Sequence, residues 1–416
     1  MSGGLAQLAQ WREVPSVLSP ILFSNGIGLL FGRADSRPIL VDFDKPLPYI
    51  STILSYRMNP GYGPAEPRVL IHIWNLVKEN PDIPGLVTLA HGAGGRLSHR
   101  LVREFERIFD NPILAPLSDA AVFDLPGGRL AFTTDSHVIS PIFFPGGDIG
   151  RLSVFGTVND LAVMGAQPLY LACGLIMEEG LPLDDLYRIV RSLARAAEEA
   201  GVRIVTGDSK VVERGKGDGI FINTAGLGRI APGEELCAEA PEPGDQILIT
   251  GTLGDHAAAI MNSREGLRFD TALVSDCAPI SDMISTLLRT CRGIKWMRDP
   301  TRGGLAAALN EFAENLTCGI ELEESALPVK PAVRSICELL GFDPLHLANE
   351  GKAVIVIRGK DAEKALSLLR GHELGQDATV IGRIVEKPAG RVVLRTLIGG
   401  LRVIDLPAGD LLPRIC

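Results

Sequence analysis

The chain has 416 residues, 46% of them hydrophobic and 22% charged, too long for one ordinary core, and this predicts two or three globular domains. A formal charge of -9 argues against a nucleic-acid partner, which would need a basic face, and suits a protein that gathers carboxylates around divalent cations. Seven scattered cysteines without a C-x-x-C pair make neither a disulfide framework nor a zinc pattern, and no apolar run approaches the ~18 residues of a membrane span.

Reduced thiols predict a cytoplasmic protein. Residues 1–84 hold short apolar runs, a turn-rich patch at 59–64 and one predicted helix over 67–80, with no chemical constellation; they read as an N-terminal extension of unassigned role. From Leu86 the character changes. A strand over 86–89 leads into His91-Gly-Ala-Gly-Gly95, and Leu97, Leu101, Val102, Phe105, Ile108 and Phe109 then recur at helical spacing. Strand, glycine loop and helix start can bind an anion through free N–H groups, although a glycine turn that only needs positive φ explains the loop equally well.

The segments that follow alternate. A strand over 130–134 ends at Asp135. A helix over 148–164 carries Asn159-Asp160. A buried strand covers 169–177. An amphipathic helix over 183–200 closes at Gly201. A strand over 202–205 runs into Gly207-Asp208-Ser-Lys210, and another covers 220–227. This order predicts an α+β domain over 85–231 with helices against one face of a mixed sheet. A second α/β domain is expected over 232–406. It has strands at 246–249, 319–322, 353–357 and 379–385, helices from 257, over 278–291 and over 305–315, and a hairpin over 392–406 turning at Gly399-Gly400. Residues 407–416 are expected to be a mobile tail that ends in cysteine.

Asp119, Asp135, Asp160 and Asp208 each follow or interrupt an apolar run. Singly, each reads as a turn or cap residue. Four together, converging at strand ends, would repel one another unless cations hold them, and magnesium on nucleotide phosphates is the common solution. Asp160 is ambiguous, because its helix could turn it outward. Lys210 is either a stabiliser of developing negative charge or a solvated loop lysine. Glu350 is either a general base tuned by burial or a surface turn residue. In Asp299-Pro-Thr-Arg-Gly-Gly304, Arg302 presents a charged fork just before a helix, which suits phosphate or an interdomain contact. His256, in Gly254-Asp-His256, reads as a candidate but better as a cap or core partner.

Several motifs together resemble the HypE family of hydrogenase maturation factors, of the superfamily that includes aminoimidazole ribonucleotide synthetase and selenophosphate synthetase. They are Leu89-Ala-His-Gly-Ala-Gly-Gly95, Thr133-Thr-Asp-Ser-His137, Val158-Asn-Asp-Leu161, Gly207-Asp-Ser-Lys210, Asp299-Pro-Thr-Arg-Gly-Gly304, Asn349-Glu-Gly351 and the terminal Pro413-Arg-Ile-Cys416. The resemblance covers about 87–416. The cysteine-ended tail singles out HypE within the superfamily. It implies two domains of the aminoimidazole ribonucleotide synthetase type and an ATP-dependent dehydratase acting on its own tail. The carbamoyltransferase HypF would load a carboxamide on Cys416. ATP would activate its oxygen, and the resulting thiocyanate would pass its cyano group to a HypC–HypD complex. The resemblance implies that Asp119, Asp135, Asp160 and Asp208 hold Mg2+ and ATP, with Asn159, Gly94, Gly95 and Arg302 also at the nucleotide. Lys210 and Glu350 would handle the amide protons, and the first domain would build a homodimer. Two readings compete: another amide- or selenide-activating enzyme of the superfamily, and a non-catalytic scaffold that changes shape with nucleotide. Selenide activation would call for a cysteine before the first aspartates, and the first cysteine here is Cys173.

Overall fold

The structure, a computed structural model, describes residues 19–22, 27–31, 39–42, a few positions between 95 and 103, and 116–416 apart from 126–127, 233–235, 265–271, 315 and 407–413. The predicted helix over 67–80, the strand over 86–89 and the loop residues His91 to Gly94 lie outside the described residues. Two compact units make up the chain, Met1–Thr88 and Leu89–Cys416. In the first, β1 (Ser19–Leu22), β2 (Ile27–Phe31) and β3 (Ile39–Asp42) form an antiparallel sheet.

The second unit contains two larger sheets. The first comprises β4 (Ala121–Leu125), β5 (Gly128–His137), β8 (Gln167–Glu178), β9 (Arg203–Val212) and β10 (Ile220–Ile230), in the order β4-β5-β10-β8-β9. Pairing is antiparallel except between β8 and β9. A short hairpin of β6 (Phe143–Phe144) and β7 (Gly147–Asp148) leads into α1 (Ile149–Val163), whose N-cap Asp148 accepts from the Gly150 and Arg151 N–H groups. Strict alternation on β10, with Ile220, Ile222 and Thr224 buried, turns one sheet face toward α1. α1 is buried on nearly all sides because its small residues let backbone approach backbone. Gly156 is one of them: a Cβ there would stand 2.9 Å from Asp135 Oδ2 and from the His137 ring. α2 (Leu183–Glu199) buries only Ile189, Leu193, Ala196 and Ala197, and Gly201 follows it at φ 69°, as expected for a helix stop.

β11 (Gln246–Ile249), β12 (Ile294–Arg298), β13 (Gly319–Glu323), β14 (Val354–Ile357), β15 (Thr379–Val385), β16 (Val392–Arg395) and β17 (Leu401–Ile404) form the second sheet, in the order β12-β14-β11-β15-β13-β16-β17. It is mixed, with β13 and β16 parallel. The helices are α3 (Asp255–Ser263), α4 (Ser281–Thr290), α5 (Gly304–Ala313), α6 (Pro331–Leu340) and α7 (Ala362–Arg370). Helices on one sheet face hold for the first sheet. The second is covered on both: Ile247, Ile249, Val354 and Val356 pack with α5, whereas Leu248, Ile355 and Ile357 pack with α4 and α7. Strands buried on both sides read as continuous apolar runs, so alternation offered no signal there.

Two boundary differences matter for the site. β5 runs on to His137, so Asp135 lies within a strand rather than at its end. β9 is one strand of ten residues, so Asp208 and Lys210 stand within it and not in a loop after it. Parallel pairing with β8 carries the backbone through that whole stretch.

Candidate active site

Carboxylates from four separate places meet between β5, α1 and the loop after β12. Burial first, then Asp299, Asp135 and Asp119, push the Asp160 carboxyl well above the ordinary carboxylate range. Asp299 is pushed well up by burial too, with Asp119 and Asp135 adding and Arg298 opposing. Asp119, raised chiefly by burial, is drawn back by Arg298, whose Nε donates to Oδ1 at 2.8 Å while its Nη1 meets Glu311 Oε2 at 2.7 Å. Asp160 turns inward: the Thr133 hydroxyl lies 3.0 Å from its Oδ2 and 2.8 Å from the Asp119 carbonyl.

Buried carboxylates that raise one another are relieved when a cation enters. Among the described residues no three His, Cys, Asp or Glu side chains converge closely enough to hold an ion alone. Mg2+ does not require that, since it retains waters and phosphate oxygens and takes only one or two carboxylates. The donor set therefore fits Mg2+ carried on nucleotide phosphates.

The C-terminus lies against this cluster. Val138 N–H donates to the Cys416 carbonyl at 3.1 Å and Ser140 N–H to the Arg414 carbonyl at 3.2 Å, so the last residues run beside the end of β5. Ile415 is buried, and Arg414 pairs with Asp218. Burial raises the Cys416 thiol strongly; Arg302 opposes, and Glu350, Asp135 and Asp299 add to the rise. The thiol thus resides as neutral S–H within electrostatic reach of these four groups. Arg302, the cation among these groups, stands in the loop between β12 and α5. Its loop depends on Gly304 at φ 62°, where a Cβ would stand 2.6 Å from the Leu345 and Leu347 carbonyls.

Glu350 is buried, and its Oε1 has no hydrogen-bond partner. Burial pushes its carboxyl well up, Asp299, Asp135 and Asp276 add, and Arg302 opposes. The surface-turn alternative does not hold. Behind it, Asp276 accepts from the Glu350 N–H at 3.2 Å and lies 3.2 Å from Lys352 Nζ. Burial would raise Asp276, but Lys352 first, with that N–H, outweighs it and holds it below the ordinary range.

Other expected site residues fare differently. Asn159 Nδ2 donates to the Ala278 and Glu350 carbonyls at 3.1 and 3.2 Å, and its Oδ1 accepts from Ile280 N–H at 2.9 Å. Those bonds staple α1 to the second sheet's loops and leave Asn159 no free donor for nucleotide. Asp208 and Lys210 do not join the cluster. They pair with each other at 2.6 Å on β9, both largely exposed, and Lys210 with the Ser209 N–H holds Asp208 below the ordinary range. Gly95 is buried and its carbonyl accepts from His99 N–H at 3.0 Å; Gly94 lies outside the described residues.

Asp299, His137 and Arg298 were missed as site residues. Arg298 ends β12, a strand that its Lys and Arg hid, and Asp299 follows it directly. His137 is buried beside Asp135, Nε2 to Oδ2 3.3 Å, and its imidazole is lowered chiefly by burial, with Asp135 opposing. Its place in Thr-Thr-Asp-Ser-His, two positions from Asp135 on a strand, was the available signal.

Residues 117–230 match the AIR synthase related protein N-terminal domain and residues 242–395 the corresponding C-terminal domain. Carbamoyl dehydratase HypE of Escherichia coli K12 is 52% identical over 336 residues, 79% of this chain and 99% of that protein. Its counterpart from Cupriavidus necator is 51% identical over 334 residues, 80% of this chain and 95% of that protein. Among solved structures, one of a HypE–HypF complex matches at TM-score 0.70 and 47% identity, covering 75% of this chain and 100% of that one. A hydrogenase maturation protein HypE in complex with ATP matches at TM-score 0.67 and 48% identity, covering 80% of this chain and 100% of that one. The chain belongs to the HypE family of carbamoyl dehydratases, within the AIR synthase fold.

Proposed function

We propose that this protein is an ATP-dependent dehydratase that converts an S-carboxamide on its own Cys416 to a thiocyanate for hydrogenase maturation. The observation that carries the reading is the placement of Cys416 among Arg302, Glu350, Asp135 and Asp299. A carboxamide oxygen is a poor leaving group. Transfer of the ATP γ-phosphoryl to that oxygen, with loss of one N–H proton, forms an S-linked imidate phosphate and ADP. Loss of the second N–H proton as the C–O bond breaks leaves S–C≡N and phosphate, a net removal of water. Asp119, Asp135, Asp160 and Asp299 would hold Mg2+, which would neutralise phosphate charge. Arg302 can pair with phosphoryl oxygens through its planar fork. Glu350, once ionised, is a stronger base than an ordinary carboxylate and is the acceptor for an amide proton.

The charge of the tail by HypF, the transfer to a HypC–HypD complex and a cytoplasmic location belong to the same reading. So does a homodimer. β9 is an edge strand exposed on both faces, with Val205 and Val211 open to solvent and Tyr170 and Ile176 beside it on β8. An apolar edge of this kind favours pairing with a second copy. Asp208 and Lys210 lie on that edge, and their expected roles at nucleotide and amide would be met by a subunit's β9 approaching its partner's site.

The test is the mass of the C-terminal peptide. Protein charged by its carbamoyltransferase, then given Mg-ATP, should lose one water from that peptide. A carboxamide that persists under those conditions refutes the reading.

A further inference from the structure

The tail is gripped by its main chain from two sides. Val138 and Ser140 hold one side. On the other, Arg264 Nη2 donates to the Arg414 carbonyl at 2.9 Å, and His256 Nε2 lies 2.7 Å from the Ile415 carbonyl. His256 sits in α3, fully buried, with its ring edge-on to Phe144 at 5.6 Å. Its Nδ1 is 2.7 Å from Ser275 Oγ, and that oxygen accepts in turn from Cys277 N–H at 3.1 Å. A carbonyl can only accept, so Nε2 carries a proton; burial lowers the imidazole and keeps the ring neutral, so Nδ1 takes the Ser275 hydroxyl proton. The chain Cys277 N–H, Ser275, His256 thereby fixes one tautomer, aimed at one carbonyl. The Ile415 side chain fills the apolar cluster that includes Phe144, Ala257 and Leu347. Cys416 follows immediately.

We propose that His256 is a positioning residue for the reacting tail: its hydrogen bond to the Ile415 carbonyl sets the place of the Cys416 thiol beside Glu350 and Arg302. The proposal rests on the reading of Cys416 as the carboxamide carrier. The His256 ring nitrogens bond Ser275 and the tail's main chain, so its influence is on where the substrate stands. It gives the docked tail a specific partner that a loading enzyme must outcompete, and it confines the thiol after docking.

The experiment uses the full-length protein with His256→Phe, which keeps a ring but no donor, and His256→Gln, whose amide can again donate to the carbonyl. Three rates are read on the C-terminal peptide by mass: alkylation of uncharged Cys416, carboxamide loading by the carbamoyltransferase, and ATP-dependent loss of water in a single turnover. With the donor gone, alkylation should quicken about tenfold and dehydration slow about tenfold, the weight of one buried hydrogen bond. Loading should not slow, ATP affinity should hold, and the Gln variant should recover much of both losses. Wild-type alkylation and dehydration rates in His256→Phe would overturn the proposal. So would a joint fall of loading, dehydration and ATP affinity with alkylation unchanged. If the phenylalanine variant is insoluble, His256→Ala is read by the same criteria. Failure of the wild-type carboxamide to dehydrate would remove the functional reading, while the alkylation rates would still decide the anchor.

Discussion

Asp160 and Asp208 are the same side chain in motifs of similar appearance, and the fold treats them in opposite ways. Asp160 is turned from α1 into a pocket of other acids, where burial raises its carboxyl well above the ordinary range. Asp208 stands on an exposed edge strand, where Lys210 lowers it. The difference is one of element, not of residue. A helix packed on a sheet can aim a carboxylate inward, whereas an edge strand offers its side chains to solvent or to another subunit. The buried region is built for charge that arrives with a ligand; the edge is already neutralised.

The contrast can be broken most severely at the tail. Cys416→Ser should abolish formation of a dehydrated tail while ATP affinity, measured by calorimetry, stays nearly intact. A collapse of ATP binding would make the tail part of the nucleotide site. Next comes Glu350→Gln, for which dehydration should fall at least about 100-fold with loading and ATP binding retained. With Glu350 as the proposed base in its anionic form, the wild-type rate should fall as pH drops through its raised pKa, and a pH profile of the Gln variant should lack that limb. A Gln variant with normal turnover would remove Glu350 from the reaction.

Smaller effects separate stapling from ligand binding. Asn159→Ala strands three buried backbone partners and should lower stability by about 3 kcal/mol, read by denaturant titration. Unchanged stability with weakened ATP binding would restore the nucleotide role. Asp160 has a folded pKa above its unfolded one, so its stabilising contribution is complete below the ordinary carboxylate range and lost as pH rises through the folded value. Tm of metal- and nucleotide-free protein should therefore decline across that window by a few degrees. Asp160→Asn, uncharged throughout, should flatten the decline. Smallest of all, Lys210→Ala should leave Tm unchanged, since its pair with Asp208 is solvent-screened. Mixed dimers of Lys210→Ala with Cys416→Ser chains would regain activity if β9 serves the partner's site.

Much of this was legible in the residues. The α+β class, the amphipathic α2 with its glycine stop and the hairpin at Gly399-Gly400 followed from periodicity and turn chemistry. Asp119 and Asp135 stood out because they follow or interrupt apolar runs, Glu350 because it lies between an apolar segment and a strand, and Arg302 because a Pro- and Gly-fixed loop presents it before a helix. Asp299 did not, because it looked like the first residue of an Arg loop, and the strand before it carries Lys295 and Arg298. Lys295 is hidden there by a 2.8 Å pair with buried Asp245, a compensation that local sequence does not display. Asp208 was misplaced for the converse reason: Gly207-Asp-Ser-Lys resembles a turn, yet a Cβ at Gly207 would collide with the Cys173 carbonyl, so the glycine serves close strand pairing.

The docked terminus makes the last three residues a measuring stick. The socket for Ile415 and the grip on its carbonyl define a zero mark, and the sulfur stands one residue beyond it. Consecutive Cα atoms stand about 3.8 Å apart. A residue inserted between Ile415 and the cysteine would thus carry the sulfur past the place that Cys416 occupies.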